Sequence, residues 1–101
     1  MENRLKYTIT CAVDENNSYL ERVCDSLEEA IALLETLYED AEQSKQGKLG
    51  KVTNPKWIDP YTLQVTFQMW CGSIFVKEWR TYQIHREWES NIYSKTPWIV
   101  Y

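Results

Sequence analysis

From Leu5 to Val13 the chain alternates, with Leu5, Tyr7, Ile9, Cys11 and Val13 set against Lys6, Thr8, Thr10 and Ala12. A period of two is that of a strand with one buried face. Asp14-Glu15-Asn16-Asn17-Ser18 interrupts it with side chains that bond their own backbone and tolerate left-handed geometry, so a turn is expected. A return strand over about Tyr19 to Cys24 closes a hairpin, and a four-residue loop would set Cys11 opposite Leu20. Cys24 would then lie about 13 Å further along, too far for a disulfide. The period next lengthens. Leu27, Ala30, Ile31, Leu34, Leu37, Tyr38 and Ala41 recur at three and four, the stripe of an amphipathic helix. Ser26-Leu27-Glu28-Glu29 has the form of a capping box. The helix is predicted to run to about Ser44 and to end before Gly47, with Lys45 and Lys48 beside its negative end.

Residues 44–60 read as a long connection, because Gly47, Gly50, Asn54-Pro55 and Asp59-Pro60 are turn signals. Alternation resumes over Thr62 to Trp70, with Leu63, Val65, Phe67 and Met69 against Thr62, Gln64, Thr66 and Gln68. Cys71-Gly72 breaks the run, and Ser73 to about His85 forms a second long strand. A three-residue loop with Gly72 left-handed would put Phe67 opposite Phe75 and Leu63 opposite Trp79. A two-residue loop would put Phe67 opposite Val76. Either register leaves apolar groups on both faces. One face packs on the helix, and the other needs either the tail, Arg86 to Tyr101, or a partner. The tail is expected to end in a short strand over Trp98–Tyr101. The reading is one α+β domain over residues 1–101: an antiparallel sheet of order ββαββ plus a short C-terminal strand, with one amphipathic helix on one face.

Composition narrows the class. With 44% hydrophobic and 26% charged residues among 101, the chain has the profile of an ordered globular domain. No apolar run reaches the 18 residues of a membrane span, and Met1 to Lys6 has no signal-peptide core. Three cysteines, Cys11, Cys24 and Cys71, are an odd set without C-x-x-C spacing, as in a cytoplasmic protein. Charge is divided along the chain. Residues 1–44 carry eleven acids and three bases, a balance of −8, and residues 45–101 carry four acids and eight bases, a balance of +4. Aromatics follow the second half: eleven of fourteen, including all five tryptophans, lie between Trp57 and Tyr101. A domain this small has little room to shelter them all.

Several constellations could carry chemistry. Glu28, Glu29, Glu35, Glu39, Asp40 and Glu42 crowd the solvent side of the helix, with no Lys or Arg between Glu28 and Ser44. A solvated face is the plainer explanation; docking to a basic surface is the functional one. Lys45, Lys48, Lys51 and Lys56 flank Trp57, while Lys77, Arg80, Arg86 and Lys95 interleave with Trp79, Tyr82, Trp88 and Tyr93. Stacking rings among cations suit single-stranded nucleic acid on an open sheet. Gly47-Lys48-Leu49-Gly50-Lys51 lacks the spacing and hydroxyl of a phosphate loop. His85 is the one histidine, some 14 residues from Cys71 along an extended strand, which keeps that pair apart. Cys11 or Cys24 could meet it only if sheet order allowed. No ligand spacing points to a metal, and nothing points to a cofactor.

The expectation is a small acidic non-enzymatic module that binds a protein partner. Glu35, Glu39 and Glu42 on the helix and Trp70, Trp79, Arg80, Tyr82 and Trp88 on the hairpin are its candidate contacts. Single-stranded nucleic-acid binding is the alternative, and a homodimer through exposed sheet faces is a third. In general type the chain is similar to small acidic phage- or mobile-element-encoded inhibitors of host proteins, an analogy of composition alone.

Overall fold

The computed structural model describes residues 3–44 and 52–94, which run through β1 (Leu5–Ala12), β2 (Ser18–Cys24), α1 (Leu27–Gln43), β3 (Val52–Asp59), β4 (Thr62–Cys71), β5 (Ile74–Trp88) and α2 (Glu89–Ser94). The five strands make one antiparallel sheet in the order β2-β1-β5-β4-β3. The α+β class and the β-β-α-β-β order are therefore those the hydropathy pattern predicts. Since β2 and β3 are the two outer strands, α1 joins opposite edges of the sheet and packs on one face of it. β5 alone spans 15 residues, roughly 50 Å at strand rise, and sets the long axis of a molecule measuring 55 × 27 × 19 Å.

α1 begins where the sequence places it. Ser26 Oγ accepts from Glu29 N at 3.1 Å, and the Glu29 carboxylate accepts from Asp25 N at 3.2 Å. The reciprocal bond thus goes to the residue before the cap. Ala30, Leu34 and Ala41 are buried against Ile9, Cys24, Leu63 and Val65, with Leu37 and Tyr38 packed alongside. At the other end, Ser44 Oγ donates to Asp40 O at 3.0 Å. Thr53 Oγ1 on β3 donates to Ala41 O at 2.7 Å, satisfying one of the last-turn carbonyls inside the protein. The expected helix-end groups Lys45, Gly47 and Lys48 lie outside the described residues, as do Gly50 and the expected final strand Trp98–Tyr101.

Four expectations are corrected. The connection drawn over 44–60 contains β3, whose Thr53 and Pro55 are buried and whose Asn54 and Lys56 are exposed. Proline is tolerated there because β3 is the outermost strand, where no further neighbour needs its missing N–H. In the first hairpin Cys11 faces Tyr19, not Leu20; a bulge between Ile9 and Thr10 leaves Glu21 unpaired further along β2. In the second, neither proposed register occurs. Cys71 pairs with Ile74 across a two-residue turn, Gly72 supplies the left-handed residue at φ 67°, and Phe67 faces Glu78 while Leu63 faces Tyr82. Finally, β5 continues to Trp88, and the start of the tail is α2, not extended chain.

That register sorts the two faces. Leu63, Val65, Phe67, Arg80, Tyr82 and Ile84 share the helix side with Ile9, Cys11 and Trp57. Thr62, Gln64, Thr66, Gln68, Trp79, Thr81 and Gln83 share the other. The face away from α1 thus combines Thr and Gln with Phe75, Lys77 and Trp79, and Thr8 and Thr62 on it are buried. α2 packs on β5 and buries Ile92, and its start is fastened to the N-terminal segment by Glu89 N to Arg4 O at 2.7 Å and Ser90 N to Asn3 Oδ1 at 3.0 Å.

Thr53→Val keeps the shape and orphans the Ala41 carbonyl. Urea unfolding should show a loss of about 1–3 kcal/mol with the slope unchanged. In the first hairpin loop the Asp14 carboxylate accepts from Asn16 N (2.7 Å), Asn17 N (2.8 Å) and Asn17 Nδ2 (2.7 Å). The Asn17 side chain first, then these backbone bonds, lower its pKa below the ordinary aspartate value. Asp25 is lowered too, by its hydrogen bond and ion pair with Lys6. A depressed folded pKa contributes stability that is full above the unfolded value, about 4, and lost as pH falls through the folded value. Melting temperature should accordingly drop more between pH 5 and pH 2 in the wild type than in Asp14→Ala.

Candidate functional site

The aromatic surplus is housed only in part. Ten aromatic side chains have described exposure and none is in the buried class; Tyr61, Phe75 and Trp88 are 45%, 47% and 50% exposed. Two layers some 10 Å apart leave a thin core, and wide rings at its margin keep one edge in water.

These rings converge with charge at one place. Along α1, Ile31, Glu35, Tyr38 and Glu39 fall at spacings of four, three and one, a single stripe on the flank facing β3 and β4. Across from them stand Trp57 of β3 and Pro60 and Tyr61 of the turn into β4, and the two sets enclose a cleft of about 490 Å³ open to solvent. Local sequence builds the second wall. Asp59 Oδ1 accepts from Tyr61 N at 2.8 Å, an Asx turn that fixes Pro60 and Tyr61 at the rim. Tyr61 O accepts from Ile84 N at 3.0 Å and anchors the turn to β5.

The rings of Tyr38 and Trp57 stack at 5.6 Å between centroids with their planes 24° apart. Such a pair contributes about 0.5–1.5 kcal/mol beyond the area it buries. Glu42, one turn beyond Tyr38, raises the Tyr38 pKa through its charge, with burial and their hydrogen bond adding to it. The phenol thus stays protonated and oriented. Glu35 and Glu39 are exposed at the rim, and neither has an ion-pair partner among the described residues.

The candidate contacts do not form one patch. Glu35 and Glu39 line the cleft, and Glu42 supports it. Arg80 lies on the helix side, its guanidinium 5.8 Å from the Phe67 ring centroid, with Nη2 3.5 Å from Glu78 Oε2 and Nη1 donating to Trp79 O at 3.0 Å. Tyr82 is beside it, opposite Cys11. Trp79 is half-buried on the other face, paired with Thr66. Trp88 is at the far end of β5 opposite Leu5. Trp70 pairs with Phe75 near the hairpin tip, and its side chain lies outside the described set. Of the cations and rings that alternate along β5, Lys77 and Trp79 lie on the face away from α1 and Arg80, Tyr82, Arg86 and Trp88 on the helix side, so no one face presents the whole set.

Tyr38, Trp57 and Tyr61 are the site residues that sequence reasoning missed as a group. Tyr38 reads as core stripe, and Trp57 as loop once Asn54-Pro55 is taken for a turn. The overlooked signal is the alternation Thr53, Pro55, Trp57.

Sheet order brings β1 beside β5, yet His85 pairs with Thr8 on the face away from α1, while Cys11 and Cys24 are buried beneath it. His85 Nε2 is instead 3.0 Å from Thr10 Oγ1. Cys11 stands opposite Tyr19 and Tyr82 on the neighbouring strands, and burial raises its pKa above the ordinary thiol value. Burial first, then the neighbouring Cys11, pushes Tyr82 up to about 12. Burial also raises Cys24. Both thiols are free, 0% and 1% exposed. Mass spectrometry after iodoacetamide treatment at pH 8 should show Cys11 and Cys24 alkylated at least about tenfold more slowly than in denaturant.

No known family model matches the chain, and neither a characterised protein nor a solved structure resembles it beyond chance.

Proposed function

We propose that this is a non-enzymatic protein-binding module that docks a basic segment of its partner on the helix side, along the cleft between α1 and the β3–β4 turn. What carries this reading is the convergence of Glu35 and Glu39 with Tyr38, Trp57 and Tyr61 around one open cleft. Rings of this kind dominate interface energetics, and carboxylates at their rim with no ion-pair partner among the described residues select for positive charge and speed encounter. The rest of α1 adds to the same field: Glu28, Glu29 and Asp40 are exposed, and no cation lies in its last turn. An inhibitor of the phage or mobile-element kind would need nothing beyond such a surface, since occluding a partner requires no catalytic group.

Charge reversal tests the docking. Glu35→Lys with Glu39→Lys exchanges one like-charge pair for another at exposed positions of an otherwise acidic helix, so thermal stability should change little. Proteins retained by the immobilised wild type should be lost from this variant and from Tyr61→Ala, with a salt dependence in the wild type. Retention of the full set by both variants rejects the cleft as the docking surface. Salt-dependent binding of a labelled single-stranded oligonucleotide by both would transfer the assignment to the nucleic-acid reading.

A further inference from the structure

We infer that the cleft is a guanidinium site: it takes the side chain of an arginine presented by the partner, stacked on the aromatic wall and bonded to the carboxylates of α1. The inference rests on the docking role above and names the group recognised. Three features of the cleft lead to it.

The first is the wall. Tyr38 and Trp57 lie nearly parallel, and Tyr61, 45% exposed, stands at the rim with Pro60. Aromatic faces carry negative potential and attract a cation within about 6 Å, tryptophan most strongly. The second is the charge. Glu35 and Glu39 are one turn apart on α1, with β-carbons about 5–6 Å from each other. An apolar occupant would strip water from both carboxylates and return nothing, whereas a cation compensates them. The third is shape. A guanidinium is planar, holds five N–H donors in a fixed fork and is weakly hydrated, so it can lie on a ring while its edges reach two acceptors. An ammonium is compact and strongly hydrated, and it loses more on entering a space walled by rings.

Glu42 explains why the wall is fixed before a ligand arrives. Glu42 interacts with the Tyr38 phenol one turn back along the helix, and the Tyr38 ring is held against Trp57 by stacking, so both rings are in place beforehand. Arg80 supplies an internal precedent, its own guanidinium lying over Phe67 and beside Glu78. The same pairing of ring and carboxylate recurs in the cleft with the cation missing among the described residues.

The test uses the full-length ¹⁵N-labelled protein and capped tripeptides Gly-X-Gly, where X is arginine, lysine, trimethyllysine or citrulline, the neutral isostere of arginine. The arginine peptide should shift the Trp57 indole N–H and the Tyr61 and Glu35 amides with a common saturating midpoint. The lysine and trimethyllysine peptides should bind more weakly, and citrulline should leave these signals unmoved. Glu35→Gln with Glu39→Gln should weaken the arginine peptide about tenfold, and its unaltered spectrum elsewhere shows that the fold is intact. Equal binding of citrulline, tighter binding of either ammonium peptide, or no movement at Trp57 and Tyr61 up to about 20 mM arginine peptide overturns the assignment. The two proposals separate cleanly. Partners lost on charge reversal with an unresponsive Trp57 would leave the docking role standing without guanidinium. A responsive Trp57 with partners unaffected by charge reversal would keep the site and reject the docking role.

Discussion

The pairing of β1 with β5 holds the two halves of this molecule together. Eight residue pairs, from Leu5 with Trp88 to Ala12 with Thr81, join segments more than 65 positions apart and put both strands inside the sheet. Without that ladder the chain is two separate hairpin systems, and a two- or three-stranded piece buries too little to stand alone. With it, β2 and β3 become opposite edges, and α1 has to pass over the sheet to connect them. The core lies under that passage: Ile9 from β1, Cys24 from β2, Leu63 and Val65 from β4, and Ala30, Leu34 and Ala41 from α1. Because so many contacts are long-range, the ordering entropy is met only when the ladder closes, which predisposes the domain to fold as a unit.

The cleft is a consequence of the same crossing. In crossing the sheet α1 ends against the outer strand it leads into, packing on β3 more than on any other strand. The margin here is β3 and the turn beyond it, where side chains too wide for the core can sit half-sheltered. Trp57 and Tyr61 fill that position, and Tyr38 meets them from α1. The Thr53 hydroxyl bonded to Ala41 O sets the spacing between the layers at this corner. A functional surface built on such ties is held by rigid elements on both sides, which limits the ordering cost of binding.

Legibility followed the range of the interaction that fixes each feature. α1 and its cap were plain from spacing and from Ser26 and Glu29, because both are settled within one or two turns. The alternation of β1, β2 and β4 was equally plain, since one buried face imposes it. β3 was masked by Pro55, a residue acceptable only because tertiary placement makes this strand an edge, which no local window records. The register of the second hairpin depended on where strand ends and turn begins at Cys71 and Gly72. An error of one residue there exchanges the two faces of β5, and because Trp79 and Arg80 are consecutive in the strand, the contact set read from sequence spans both faces in any register. The acidic half of the site, Glu35 and Glu39, was visible; its aromatic half required β3 first.

The split of charge and aromaticity along the chain acquires a structural meaning from this arrangement. Residues 1–44 hold the excess of acids and residues 45–101 most of the rings, and the cleft draws its carboxylates from the first part and Trp57 and Tyr61 from the second. Had both properties resided in one element, the carboxylates would compete for the same face as the rings, and a helix stripe is wide enough to present only one well. Dividing them between a helix and a strand–turn unit lets each face the other across a gap that a flat cation can enter. The face away from α1 is arranged differently. Its Thr and Gln side chains bond with one another and with the backbone, as Gln64 Nε2 does with Thr81 Oγ1 at 3.4 Å and Thr66 Oγ1 with Asn54 O at 3.1 Å. Carboxylates held beside rings with no counter-charge among the described residues gain a great deal from a cationic partner.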